Sequence, residues 1–179
     1  MELDNAWRTS PNGYWISDVT RYGRVRETFG ASLPYLNHQS ILDFGCSRGL
    51  TSVELADIYP DSRVVGIDID THRSPLHHPR LRFVRADGYR APFHDKTFDT
   101  VVCMNSLYHC MPDVSDETLR QRFYEISRLV KDDGLLLFGG ETTSVGRHEF
   151  VIFRKESPIV PVDQKMKPDY LGRLIAACQ

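Results

Sequence analysis

The apolar positions change period along the chain, and each change predicts an element. Tyr22, Val25, Phe29 and Leu33 recur at i, i+3, i+7 and i+11, the spacing of one helical face, so a helix is expected over Arg21–Leu36. The apolar run Ile41, Leu42 and Phe44 then reads as a buried strand, broken by the small residues Gly45, Ser47 and Gly49. Val53, Leu55, Ala56 and Ile58, closed by Pro60, predict a helix over Thr51–Tyr59 with Glu54 and Asp57 outward. Arg63–Asp70 is a β-branched run ending in two carboxylates, which closes a βαβ unit.

The alternation continues. Residues 71–80, rich in His and Pro, read as a loop or one helical turn; Leu81, Phe83 and Ala86 mark a third strand, followed by Asp87-Gly88 and Ala91-Pro92. Phe98–Met104 is a fourth strand, Leu119, Phe123, Ile126 and Leu129 predict a helix over Glu117–Val130, and Asp132-Asp133-Gly134 ends it before a fifth strand, Leu135–Phe138. His148–Lys155 reads as a sixth strand with an edge or hairpin position. Pro158, Pro161 and Pro168 punctuate a linker before a last helix, Tyr170–Cys178. Strands alternating with helices predict a doubly wound α/β fold, a mostly parallel sheet with helices on both faces. One domain is expected over 1–179: an N-terminal helical or lid segment to residue 39, a core over 40–140, and an irregular C-terminal strand and helix over 141–179.

Composition narrows the partners. Hydrophobic residues at 41% and charged residues at 26% suit a water-soluble globular domain, and a formal net charge of −2 gives no pull toward nucleic acid or acidic membrane. The N-terminus lacks a signal-peptide pattern and no run is long enough to span a bilayer, so the cytosol is the expected compartment. Cys46, Cys103, Cys110 and Cys178 are scattered without a C-x-x-C pair, and the adjacent His77 and His78 lack a ligand partner at suitable spacing. Reduced thiols and no metal are expected.

The candidate chemistry lies where the first strand meets its small-residue turn. A strand running through such a turn into a helix leaves backbone N–H groups facing a ligand. A dinucleotide wants G-x-G-x-x-G, and counting from Gly45 its second and third glycines fall on Ser47 and Leu50. A hydrolase reading has more support, because Gly45-Cys46-Ser47-Arg48-Gly49 matches G-x-S-x-G. Ser47 would then be the nucleophile, Asp99 or Asp113 would orient the base and His148 would be the base, although no glycine-rich segment upstream completes an oxyanion hole.

A third chemistry rests on several segments in order: Asp43-Phe44-Gly45-Cys46-Ser47-Arg48-Gly49, then Val65-Gly66-Ile67-Asp68, Asp87-Gly88 with Ala91-Pro92-Phe93, Phe98-Asp99-Thr100-Val101-Val102, and Asp133-Gly134-Leu135-Leu136. Over residues 35–140 the sequence resembles the class I, Rossmann-like, S-adenosylmethionine-dependent methyltransferase family, with Ser47 where a glycine is commoner. The resemblance implies S-adenosyl-L-methionine as cofactor and S-adenosyl-L-homocysteine as product. It implies cofactor contacts from Asp43, Gly45, Cys46, Ser47, Gly49, Asp68, Ile69, Asp87, Gly88 and Asn105. Physical chemistry suits these positions: small residues admit the methionine end, a carboxylate such as Asp68 accepts from two ribose hydroxyls, and Asp87 accepts from the adenine amine. Asp70 is the rival of Asp68, and for Asp87 the competing role is to cap its own turn.

Transfer of a methyl group already activated as a sulfonium needs alignment and a dry pocket, with a general base only for a weakly acidic nucleophile. His109 is the candidate base or substrate positioner, and Tyr14, Trp15 and Tyr108 are candidates for the lid and the substrate wall. Met104-Asn105-Ser106-Leu107 lacks the N-P-P-Y or D-P-P-Y of nucleobase amino methyltransferases. A small-molecule acceptor is therefore favoured and nucleic acid is not indicated. A typical family member has a helix after the fifth strand and then a two-strand hairpin, which this chain lacks. That departure keeps a second reading open, a non-catalytic cofactor-binding scaffold that needs a partner chain. The oligomeric state is unspecified.

Overall fold

The computed structural model describes residues 8–9, 15–16, 22–36, 39–69, 77–104, 106, 115–142, 147–156, 160–165 and 173. A short antiparallel pair, β1 (Arg8–Thr9) and β2 (Trp15–Ile16), precedes α1 (Arg24–Phe29) and a 3-10 segment, Gly30–Leu36. The core follows as β3 (Ser40–Phe44), α2 (Leu50–Ile58), β4 (Arg63–Asp68), β5 (Leu81–Arg85), β6 (Phe98–Met104), α3 (Asp116–Arg128), β7 (Val130–Thr142), β8 (Arg147–Arg154) and β9 (Val160–Lys165). Seven strands form one sheet in the order β5-β4-β3-β6-β7-β8-β9. Its first five strands are parallel, and β8 and β9 are added antiparallel.

Strand alternation sorts side chains to two covered faces. Leu42, Phe44, Val101, Leu136, Phe138, Val151 and Phe153 pack with Leu119 and Phe123 of α3. Ile41, Val102, Leu135, Leu137, Phe150 and Ile152 pack with Val25 and Phe29 of α1 and Leu55 of α2. Asp43 shares the parity of Ile41 and so faces α2, beneath the loop that follows β3. The expected doubly wound, mostly parallel α/β architecture is what the chain forms.

Four local expectations are corrected. The helix expected over Arg21–Leu36 is only six residues of α-helix: Gly30 ends it at φ 34°, and Pro34 lies in the tighter 3-10 turn that follows. Glu54, read as outward, is fully buried. The fifth strand is longer than Leu135–Phe138, because pairing with β6 resumes on both sides of the Asp132-Asp133-Gly134 turn: Phe98 pairs with Val130 and Thr100 with Leu135. Asp133, at φ 62°, takes up the extra residues as a bulge.

The fourth correction is the C-terminal region. Its proline-punctuated linker contains β9, an edge strand, where a proline's missing N–H is tolerated. The chain passes from β7 to β8 within four residues, so an antiparallel hairpin replaces the crossover helix of a typical family member. The expected helix Tyr170–Cys178 lies outside the described residues except Arg173, which is helical and pairs with Asp116 of α3 at 3.0 Å.

Candidate cofactor site

The chain winds outward from β3 through β4 to β5, then returns to place β6 on the other side of β3. The crevice above the carboxyl ends of β3 and β6 is thus the topological switch point, where open α/β sheets bind ligands. The small-residue loop lies there. Gly45 (φ 74°), Ser47 (φ 49°) and Gly49 (φ 84°) hold left-handed backbone, and Gly49 is the N-cap of α2. The N–H groups of Gly45 and Cys46 both donate to the Ile67 carbonyl, at 2.9 and 3.0 Å, which ties the loop to β4. Gly45 is sterically required, because a Cβ there would lie 2.4 Å from Cβ of Ser106.

Two carboxylates serve this loop differently. Asp68, at the end of β4, is half-buried, and its Oδ2 accepts the Ser47 N–H at 2.8 Å. The loop backbone therefore orients the carboxylate expected to face ribose. Asp43 is 1% exposed and accepts from Ser52 Oγ of α2 at 2.6 Å. Burial raises its pKa to about 7, aided by the charge of Asp68 and opposed by the Ser52 hydrogen bond and by Arg24. Asp43 thus braces the loop against α2 from beneath. Cys46 is buried, and desolvation together with Asp43 and Asp68 pushes its thiol far up, so it acts as a small apolar group rather than a nucleophile.

The strand ends continue the site sideways. Phe44 pairs with Ile67 and Asp68 with Arg85, so the loop, Asp68 and Asp87 occupy successive places along one sheet edge, one strand spacing of about 4.8 Å apart. Half-buried Ile69 follows Asp68, and its carbonyl accepts from Arg85 Nε at 3.1 Å. Asp87 Oδ1 caps its own turn by accepting the Tyr89 N–H at 3.0 Å. A Cβ on Gly88 would lie 2.5 Å from the Phe44 ring, so that glycine brings the Asp87 turn down onto β3. A groove of about 660 Å³ opens beside Asp87, between this turn and α3.

Of the other expected site residues, Asn105, Tyr108, His109 and Tyr14, with the rivals Asp70 and Asp113, lie outside the described residues. Trp15 stands in β2 opposite Thr9. Pattern reasoning missed three residues. Ser106 donates to the Phe44 carbonyl at 2.8 Å and locks the segment after β6 onto the loop; its only signal was its place just past the fourth strand. Ser52 and Glu54 were hidden because a polar residue on a helix reads as outward until its partner is known.

Among the described residues the hydrolase arrangement is not assembled. Asp99 lies at the opposite end of the sheet from Ser47, engaged by Ser40 and Lys131. His148 is in β8, three strands and about 14 Å of sheet from β3. Among the described residues no group of three His, Cys, Asp or Glu is placed to hold a metal ion, and no helix is long and apolar enough to cross a membrane.

The methyltransferase domain family matches residues 42–138, more than half of the chain. A malonyl-[acyl-carrier protein] O-methyltransferase of Legionella pneumophila is 29% identical over 133 residues, covering 68% of this chain and 45% of the relative. A 27-O-demethylrifamycin SV methyltransferase of Amycolatopsis mediterranei is 28% identical over 127 residues, covering 62% and 45%. The chain spans less than half the length of these curated relatives. The structure of the plantazolicin methyltransferase BpumL in complex with S-adenosylhomocysteine shares the fold, with TM-score 0.54 at 17% identity over 66% of this chain and 46% of that one. The looped switch point, the aligned strand-end carboxylates and the matched segment agree: the chain belongs to the class I methyltransferase domain family.

Proposed function

We propose that this chain is an S-adenosylmethionine-dependent methyltransferase that acts on a small-molecule acceptor in the cytosol. The observation that carries the reading is the line of the loop, Asp68 and Asp87 along three adjacent strand ends, with Asp68 held by the Ser47 N–H. Its donor set fits the cofactor's three parts. Small residues and left-handed backbone at Gly45, Ser47 and Gly49 admit the methionine end, with Cys46 beneath. Asp68 accepts from the ribose hydroxyls, Ile69 packs on the purine, and the Asp87-Gly88 turn borders the adenine, where the second oxygen of Asp87 accepts from its amine. Asn105 supplies a polar group at the switch point, and Asp43 supports the loop from below.

When bound, the cofactor supplies an activated methyl group. The chain's own work is to align an acceptor atom with it and keep water out. His109 takes the acceptor's proton where the nucleophile needs a base, while Tyr14, Trp15 and Tyr108 form the acceptor wall. The names of the two relatives, a malonyl-[acyl-carrier protein] O-methyltransferase and a 27-O-demethylrifamycin SV methyltransferase, support an acceptor group of small-molecule size. Calorimetric titration with S-adenosylmethionine and S-adenosylhomocysteine tests the reading. Both bind, and Asp68→Ala weakens binding by about 10- to 100-fold, the loss of hydrogen bonds to a charged group. Absence of binding to the wild-type chain sinks it.

A further inference from the structure

Glu54 has no part in the cofactor contacts, yet its carboxylate accepts three backbone N–H groups behind them. It is fully buried on α2, and it collects the first backbone donors of α1: Gly23 N–H and Val25 N–H on Oε2, and Arg26 N–H on Oε1, each at 3.0 Å. One turn along the same helix face, Asp57 accepts from the Tyr22 hydroxyl at 2.8 Å. Residues 22–26 are thus gripped by two carboxylates of the helix whose N-terminus is the cofactor loop. The other end of α1 lies over the carboxyl ends of β6 and β7, beside the switch point, where the proposed reading puts the acceptor. A Cβ on Gly139 would meet Phe29 and Thr28 at 2.8 Å and the Met104 sulfur at 3.0 Å, so α1 is pressed against the carboxyl ends of β6 and β7. Phe29 also packs on Phe150 at 5.6 Å.

We propose that Glu54 is a positioning residue: by holding α1 to α2 it makes the cofactor loop and the wall behind Met104 move as one body, so that cofactor occupancy orders the acceptor side. This rests on the methyltransferase reading. Glutamine at 54 keeps one carbonyl oxygen and turns an amide NH2 toward backbone N–H groups, so it breaks the clamp without emptying its space.

The test is site-resolved amide exchange with S-adenosylhomocysteine at 100 times its calorimetric Kd. An amide whose opening requires loss of the ligand then slows about 100-fold, and one that opens independently does not slow. In the wild type, Val25 and Arg26 slow about 100-fold, while Lys96 and Asp133 at the far end of the sheet do not. Glu54→Gln brings the protection at Val25 and Arg26 below tenfold and weakens S-adenosylhomocysteine at least fivefold. Tyr22→Phe, which removes only the exposed outer contact, brings the protection below about 30-fold and serves if Glu54→Gln does not fold. Absence of calorimetric binding sinks the methyltransferase reading and the proposal with it. Binding with Val25 and Arg26 as indifferent as Lys96, or unchanged protection in both variants, overturns the proposal alone.

Discussion

Asp43 and Asp99 stand near opposite ends of the neighbouring strands β3 and β6, and each accepts a serine hydroxyl at 2.6 Å. Similar chemistry gives opposite titration. At Asp43, burial outweighs one hydroxyl and the charge of Arg24, and the pKa rises to about 7. At Asp99, burial is again the largest single push and acts upward, but the Lys131 ammonium at 2.8 Å and the hydroxyl and N–H of Ser40 together outweigh it and hold the carboxyl below its usual range. The amino end of the sheet therefore uses a carboxylate as a staple, where solvent and a cation keep it charged. The carboxyl end holds one in reserve beneath the loop, close to neutrality, where any charge it carries is felt at Asp68 and the site above.

The largest consequence is a pH dependence of stability. The native Asp43 keeps its proton up to about pH 7 and the unfolded one loses it near 3.8, so between these values the native state binds more protons and its stability falls as pH rises. The full linkage is roughly 4 kcal/mol, spread over about pH 4 to 7 and flat above. Asp43→Asn removes this component. Urea unfolding at pH 5 and pH 8 then shows the variant gaining on the wild type by about 2–3 kcal/mol, the part of the linkage that falls between those pH values. Equal slopes in the two chains would place the carboxyl's titration elsewhere.

Asp43 also marks where sequence reasoning stopped. The parallel core was legible because Ile41, Leu42, Val64, Ile67, Val101 and Val102 are buried on two faces, and continuous apolar runs betray such strands. The loop was legible because Gly45 and Gly49 hold positive φ, which leaves a mark in the sequence. The direction of a polar side chain leaves none: Glu54 reads like a surface residue, and only the packing of α1 against it, like that of Ser52 against Asp43, reveals how these carboxylates brace the loop. At the C-terminal end the prolines concealed β9, since an edge strand tolerates what an interior strand does not.

Removing one hydroxyl sharpens the contrast at the next scale. Ser52→Ala deletes a buried donor to Asp43, so it raises that pKa further, and its cost depends on charge. The loss is about 1 kcal/mol at pH 5, where Asp43 is neutral, rising to about 2–3 kcal/mol at pH 8, where it is ionised. Ser40→Ala costs about 1 kcal/mol and varies little between those pH values, because Asp99 is charged at both and keeps the Ser40 N–H and Lys131. A Ser52→Ala cost independent of pH would show that Asp43 does not change charge in this range.

The smallest effect tests the staple itself. Lys131 is 44% exposed, so solvent screens its pair with Asp99, and Lys131→Met costs about 0.5 kcal/mol at neutral pH. The sign of the pH dependence is opposite to that at Asp43. A carboxyl with a depressed native pKa adds stability above its unfolded pKa and loses it as pH falls through the native value. Without the ammonium the Asp99 pKa moves back up, and the acid limb of the stability curve contributed by this group shrinks. Chemical denaturation of the two chains from pH 6 down to pH 3 should therefore converge, with their difference largest at pH 6 and vanishing once Asp99 is protonated. A difference that does not shrink at all between pH 6 and pH 3 would assign the cost to lost packing of the lysine stem rather than to charge.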